Sequence, residues 1–286
     1  VYSINLFLFF LKLLFRYFLS IRVSGFYNRY LYRVKIKKEK MKFIALIPAR
    51  FQSTRFPGKP LAVLGGMPVI QWVYENAVQA LDNVWVATDD DRIFNAVTSF
   101  GGKAVRTMSS HRSGTDRCAE AARLLEKETD FDIVINIQGD EPFIKAEQIK
   151  QLMACFDETT EIATLIKEIE TTEELFNPNR PKVVLDDYQN ALYFSRSPIP
   201  FVRGEKENSW LLANTFWAHI GMYAYRKEVL QKITQLSPGK LERVEALEQL
   251  RWLENGYRIK TAVTRFQSIG IDTPDDLQMA AEWLKK

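Results

Sequence analysis

Three short stretches of this chain carry the residue types that phosphate and metal chemistry need. The first, Ala49-Arg50-Phe51-Gln52-Ser53-Thr54-Arg55-Phe56-Pro57-Gly58-Lys59-Pro60, puts three cations, two hydroxyls and one glycine into twelve residues. Backbone N–H groups in such a turn can cradle phosphate while Arg50, Arg55 and Lys59 neutralise it. It is neither the G-x-x-x-x-G-K-[ST] loop nor the G-x-G-x-x-G fingerprint, and an ordinary solvated basic loop would read the same way. The second stretch is Gln138-Gly139-Asp140-Glu141-Pro142. A carboxylate just past a glycine at the end of a strand suits a magnesium ion held against a nucleotide phosphate. The third is Asp272, between Gly270-Ile271 and Thr273. Taken alone, each acid could equally be a turn or capping residue. The need of a triphosphate's metal for carboxylates is what links them.

Weaker candidates accompany these. His111-Arg112-Ser113-Gly114-Thr115-Asp116-Arg117 is polar and opens a helix, so capping accounts for it as well as ligand binding does. Arg196, in Phe194-Ser195-Arg196-Ser197-Pro198, offers a guanidinium fork for a carboxylate, or a plain surface loop. His219 starts an apolar run, where a lone histidine reads first as a satisfied core residue. Cys118 and Cys155 fall on helical patterns and read as packed thiols.

The elements that would position these loops alternate. Phe43–Ala49, Val84–Thr88 and Ile133–Ile137 are short apolar runs with the look of buried strands. Between them, Pro68–Ala80 and Thr115–Lys127 have helical spacing. Asp89–Asp91 should cap a helix that Gly101-Gly102 ends. This rhythm predicts an α/β fold, a mostly parallel central sheet with helices on both faces. Ligands then belong beyond the carboxyl ends of the strands, where the first two loops lie. Val183–Leu185, Ala191–Phe194 and His219–Tyr225 predict a smaller antiparallel subregion. Leu241–Glu254 reads as one helix, Ile259–Val263 as a strand, and Pro274–Leu284 as a helix capped by Thr273.

The 286 residues are 47% hydrophobic and 26% charged, a globular composition. Two cysteines without a C-x-x-C pair, with two histidines, supply neither a disulfide framework nor a zinc site, and point to a reduced, cytoplasmic setting. The net charge of +4 is misleading. Residues 1–40 hold nine Lys or Arg and one Glu, leaving 30 cations against 34 acids over 41–286. A mildly acidic body does not suit a nonspecific nucleic-acid binder. In the front segment, Ile4 to Ile21 is nearly all apolar, interrupted by Lys12 and Arg16, and a basic run from Arg33 to Lys40 follows. It can be read as a membrane helix, an amphipathic anchor or a secretory signal. It can also be read as a stretch translated from a wrongly assigned start, with Met41 the true first residue. Membrane contact is expected only if that segment is real.

Residue chemistry thus predicts a magnesium- and phosphate-handling α/β enzyme. The motifs ALIPARFQSTRFPGKPL (Ala45–Leu61), HRSGTDR (His111–Arg117), NIQGDEP (Asn136–Pro142) and ALYFSRSPIP (Ala191–Pro200) go further. With HIGMYAYR (His219–Arg226), LEQLRWLENG (Leu247–Gly256) and GIDTPDDL (Gly270–Leu277), they run in one order through Met41–Lys286. That body resembles the 3-deoxy-D-manno-octulosonate (Kdo) cytidylyltransferases of lipopolysaccharide synthesis, whose fold is that of the nucleotide-diphospho-sugar transferases. The resemblance implies CTP + Kdo → CMP-Kdo + pyrophosphate, with Mg2+, in a cytoplasmic homodimer that meets its partner near residues 170–215. It implies that Arg50, Ser53, Arg55 and Lys59 bind the triphosphate, with Arg50, Lys59, Asp140 and Asp272 central to catalysis. His111, Ser113, Gly114 and Thr115 would lie near cytosine, Gln138 at the nucleotide–sugar boundary, and Asp140 and Asp272 on magnesium. Arg196, His219, Tyr223, Glu245 and Gln249 would line the sugar-acid pocket, with Arg196 on the carboxylate. Ala224 stands where the family often has glycine. Two alternatives stay open: a cytidylyltransferase for another sugar acid such as sialic acid, and a noncatalytic nucleotide-binding protein anchored by residues 1–40.

Overall fold

A computed structural model describes residues 41–267 and 270–285. The segment 1–40, and with it the anchor and start-site readings, lies outside the described residues. Among those described, no helix is long and apolar enough to cross a membrane.

The apolar runs form the strands their composition predicts. β1 (Phe43–Ala49) pairs in parallel with β4 (Val84–Thr88) on one side and β6 (Ile133–Asn136) on the other. β5 (Ala104–Arg106) extends the sheet beyond β4. Most residues of β1, β4 and β6 are buried, because helices cover both faces and leave little for water, while the edge strand β5 is more open. Ile44 and Leu46 face α3 (Gly114–Leu125) and α7 (Lys227–Ile233) in the main core. The alternate residues Ala45 and Ile47 face α1 (Val69–Val78). Truncating one of these fully buried aliphatics to alanine would cost about 2–5 kcal/mol.

On the other flank, β7 (Ile162–Glu168) and β11 (Ile259–Val263) pair in parallel. The strand order is β11-β7-β10-β6-β1-β4-β5, and β10 (Trp217–Arg226) alone in that path runs antiparallel to its neighbours. β8 (Lys182–Leu185) and β9 (Ala191–Ser195) hang from the end of β10 as an antiparallel ladder. The three strands expected in an antiparallel subregion are therefore antiparallel, and β10 reaches through the main sheet as well. Ala224 is fully buried within β10, so its effect is one of packing.

The run expected as one helix, Leu241–Glu254, is two: α8 (Lys240–Glu245) and α9 (Gln249–Glu254). The chain breaks at Ala246, which adopts a left-handed φ of 51°. No glycine marks that break, so periodicity alone cannot find it. The helix α4 (Ala146–Ala154) and strand β7, neither expected, pack together on the sheet.

The order of strands has one reversal that matters. After β1 the chain moves outward through β4 and β5, then returns to place β6 on the other side of β1. The loops leaving β1 and β6 consequently diverge and open a crevice, the usual ligand position in open α/β sheets.

Candidate active site

The crevice is a cavity of about 310 Å3 at the carboxyl ends of β1 and β6. Arg50, Ser53, Arg55 and Lys59 line it from the first loop, and His111, Ser113 and Gly114 from the segment before α3. Gln138 and Asp140 line it after β6, and Asp272 from the C-terminal side. Asp140 and Asp272 lie 132 positions apart in the sequence, yet Ile271 N donates to Asp140 O at 2.8 Å and ties the two loops together.

At the centre of the cavity stands Lys59. Its Nζ contacts Asp140 Oδ2 directly and lies 3.1 Å from Asp272 Oδ1, with the lysine side chain only 15% exposed. Burial works against the ammonium, but the two carboxylates together outweigh it and hold Lys59 above its ordinary value. Arg55 reaches the other oxygen of Asp272 at 3.1 Å, as an exposed pair. Two carboxylates from distant loops thus converge on one cationic point. This donor set fits a hydrated magnesium ion, which takes one or two carboxylates and completes its shell with water and phosphate oxygens.

Two glycines make the close approach possible. A Cβ on Gly139 would sit 2.8 Å from Pro48 O, so only glycine lets the β6 loop lie against the end of β1. Gly58 has a φ of +74°, and a Cβ there would meet the Phe51 ring at 2.9 Å. Phe51 is in turn covered by the Arg92 guanidinium, 3.3 Å from the ring centroid. Arg92 is held by a two-pronged pair with Asp90, the N-cap of α2 (Asp91–Ser99). The basic loop is therefore braced against a helix start that carries none of its chemistry.

The base of the cavity is built on the start of α3. Ser113 caps that helix and forms a capping box with Asp116. Capping therefore accounts for the stretch, and the capping serine also lines the cavity. His111 Nε2 lies 2.5 Å from Glu120 Oε2, whose oxygen also accepts from Met108 N at 2.8 Å. Arg117, buried against Thr107 and Asp89, lines the cavity too, although the sequence marks it only as part of the motif. Thr115 points away from the opening and donates to Glu248 Oε2 at 2.7 Å. Burial raises the Glu248 carboxyl above its ordinary value. Glu248 has no sequence signal of its own beyond the motif LEQLRWLENG.

Beyond Gln138 a second group of candidates gathers. Gln138 Nε2 reaches Asn136 Oδ1 and Gly221 O, each at 3.5 Å, which puts it between the cavity and β10. The register of β10 on β7 shifts between Ile220 and Tyr223. His219 and Tyr223 share one face there, ring centroids 5.2 Å apart, with Thr164 Oγ1 3.0 Å from His219 Nε2. Burial lowers His219 to about 3, so it is neutral throughout the working range of pH. His219 is thus a neutral ring held by Thr164, in line with the reading of a satisfied core histidine. Burial also keeps Tyr223 a neutral phenol, and among the described residues no group meets its hydroxyl or Gln249 Nε2 in hydrogen-bonding geometry. Unpartnered buried polar atoms cost free energy unless a ligand or water takes them up.

Arg196 is placed by the broken helix. Its Nε donates to Glu245 O at 2.6 Å, Nη2 to Ala246 O at 3.2 Å, and Nη1 to Pro178 O at 2.9 Å. An unbroken helix would have used those carbonyls itself. Glu245 accepts from Ser195 Oγ at 2.7 Å and Arg196 N at 2.9 Å. Arg196, Glu245, Tyr223, His219 and Gln249 stand outside the main cavity, on the far side of Gln138 from Lys59. Cys118 is fully buried, and burial raises both thiols, Cys155 to about 11, so both are packing groups.

The chain is similar to known cytidylyltransferases along most of its length. A family model described as cytidylyltransferase matches residues 44–260. A 3-deoxy-manno-octulosonate cytidylyltransferase of Bacteroides thetaiotaomicron is 57% identical over 250 residues, 86% of this chain and 99% of that protein. The one from Parabacteroides distasonis is 56% identical over 249 residues, 85% of this chain and 98% of its own. A solved CMP:2-keto-3-deoxy-manno-octonic acid synthetase complexed with CTP superposes with a TM-score of 0.77 at 41% identity, covering 85% of this chain and 98% of that one. A 4-diphosphocytidyl-2C-methyl-D-erythritol synthase from Anaerococcus prevotii shares the fold alone, with a TM-score of 0.55 at 14% identity over 86% of this chain and 99% of that one.

Proposed function

Because the chain belongs to the 3-deoxy-manno-octulosonate cytidylyltransferase family, we propose that it transfers CMP from CTP to the anomeric 2-hydroxyl of Kdo. The hydroxyl oxygen attacks the α-phosphorus in line and gives up its proton to solvent, the bond to the β-phosphate oxygen breaks, and pyrophosphate leaves. The observation that carries this reading is the meeting of Asp140 and Asp272 at Lys59, in one cavity with Arg50 and Arg55.

Each residue has a role that its placement supports. Arg50, Arg55 and Lys59 neutralise the triphosphate, and Ser53 adds a hydroxyl to it. His111, Ser113 and Gly114 form the wall for cytosine, and Thr115 holds that wall through Glu248. Gln138 stands at the boundary between the two substrates. Arg196, Glu245, Tyr223, His219 and Gln249 receive the sugar acid, with the unpartnered Tyr223 hydroxyl and Gln249 amide as donors to it. Asp140 and Asp272 would hold Mg2+, which when bound screens phosphate charge and favours the ionised form of a nearby hydroxyl. Attack on a polyanion needs that screening and alignment more than a dedicated base. Arg196 accounts equally well for sialic acid, whose carboxylate is also beside the anomeric carbon. The family separates the two acids.

Residues 41–286 carry this activity, and a protein beginning at Met41 should be fully active; its inactivity would make residues 1–40 part of the enzyme. A homodimer has support in the exposed apolar groups of the middle region. Phe201 is 74% exposed and Leu212 91%, on either side of Trp210. Large apolar side chains exposed to this degree suit burial against a second copy. The deciding assay is pyrophosphate release with CTP, Kdo and magnesium, each omitted in turn. Release that continues without Kdo, or none with all three, counts against the reading.

A further inference from the structure

Lys182, on β8, has a fully buried side chain, and the reaction as proposed gives it nothing to do. Burying an ammonium is costly unless an anion stands beside it. Its Nζ donates to two main-chain carbonyls, Asn177 at 3.0 Å and Arg196 at 2.5 Å. Those are dipoles and carry no counter-charge. The charged groups that face it are Glu245 from α8 and Arg196 from the end of β9. Glu245 spends its oxygens on Ser195 and the Arg196 N–H, and among the described residues no ion pair joins it to Lys182. Arg196 in turn shares the segment that Lys182 holds, since its Nη1 donates to Pro178 O while Lys182 donates to Asn177 O. Two cations are thus tied to one short stretch of backbone, with one carboxylate between them. The cluster is one anion short.

Building on the functional reading above, we propose that Lys182 is a positioning residue for the acid sugar. It fixes the Arg196 backbone from below and leaves the pocket with one positive charge in excess, which the substrate carboxylate neutralises. A neutral sugar would leave that charge uncompensated, so the same device selects for an acid.

Burial, opposed by Glu245 and reinforced by Arg196, lowers the Lys182 ammonium to about 8. The excess charge is therefore present below about pH 8 and fades above it. The sign for stability is opposite. A lysine lowered from 10.5 on folding disfavours the folded state at low pH, and that burden lifts as pH rises from about 8 to 10.5. Binding and stability should consequently part company in alkali, which a purely structural lysine would not cause.

The experiment follows KM for Kdo and for CTP from about pH 7 to about pH 9.5 in the wild type, Lys182→Met and Lys182→Arg. In the wild type the Kdo KM should rise several-fold above about pH 8 while the CTP KM holds. Lys182→Met should raise the Kdo KM about tenfold at pH 7 and remove the alkaline rise, with kcat and CTP KM within about twofold. Lys182→Arg, charged throughout, should keep the Kdo KM near the wild-type value and flatten its profile. A flat wild-type profile, a normal Kdo KM in the Met variant, or equal rises for both substrates would overturn the inference. If the Met variant does not fold, the wild-type profile decides. A wild type that makes no CMP-Kdo at all overturns the functional reading first, and this inference with it.

Discussion

The two ends of the site are charged in different ways. At the Lys59 end, charge answers charge across loops: the ammonium meets two carboxylates, and Arg55 meets a third oxygen. At the Arg196 end, charge answers backbone. Arg196 and Lys182 donate to five main-chain carbonyl contacts between them, and their one carboxylate neighbour is itself bound to N–H and O–H donors. The first arrangement can exchange partners, so a triphosphate and its metal can replace one ion pair by another. The second cannot rearrange without moving the chain, and it leaves polar atoms of Tyr223 and Gln249 waiting. A reacting polyanion is met by exchangeable charges, and a sugar that must be told from its relatives is met by a fixed frame.

That contrast can be broken in graded ways. Asp140→Asn should have the largest effect, keeping the fold and the melting temperature while lowering kcat by about a thousandfold, because one charge partner at the reacting phosphate is lost. Near-normal turnover at saturating magnesium would remove Asp140 from the chemistry. Lys59→Ala should raise the CTP KM some thirtyfold or so, about 2 kcal/mol, and the Kdo KM much less. A rise confined to Kdo would reverse the assignment of the two ends. Glu245→Gln should show the opposite split, with the Kdo KM up about tenfold and that of CTP little changed, since it loosens Ser195 and the Arg196 backbone.

Two smaller effects sharpen the comparison. Arg92→Ala leaves the Asp90 cap of α2 in place but uncovers Phe51, so the CTP KM should rise about threefold with no change for Kdo. Arg92→Lys should not restore it, because a lysine cannot stack on the ring and hold both Asp90 oxygens. Glu248 lies where the two ends meet, bonded to Thr115 and buried beside Tyr223 and Tyr225. A carboxyl raised by burial binds its proton more tightly in the folded state. Its burden on stability is therefore carried wherever the folded carboxyl is ionised, and it disappears as pH falls below the ordinary 4.5. Glu248→Gln should raise the melting temperature at pH 7 by a few degrees, about 2–4 °C, and leave it unchanged near pH 4. A variant less stable than wild type at both would show that the charge is satisfied.

Much of the Lys59 end is legible in the sequence. Its loops follow strands whose apolar runs are unmistakable, and its residues cluster within twelve positions or stand beside a glycine or a proline. The Arg196 end is much less so. Its positions come from β8, β9, β10, α8 and α9, and the feature that places them, the break at Ala246, has no glycine to announce it. Periodicity runs straight through that break. Lys182 illustrates the limit well: in a strand reading it is an unremarkable lysine in K-V-V-L, and only the folded ladder shows it to be buried with its Nζ on main-chain carbonyls.

By itself the sequence determined the local things: which runs are strands, where Asp90, Ser113 and Thr273 start helices, and which loops are basic or acidic. Those follow from backbone propensity and side-chain chemistry within a few residues. Its motifs also determined the family. Tertiary structure alone decided that Asp272 reaches Lys59, that the Glu245 and Ala246 carbonyls are free for Arg196, and that among the described residues no ion pair reaches the buried Lys182. The reason is that charge has meaning only at a distance of a few ångströms and in a known dielectric, and both are set by which strand lies next to which.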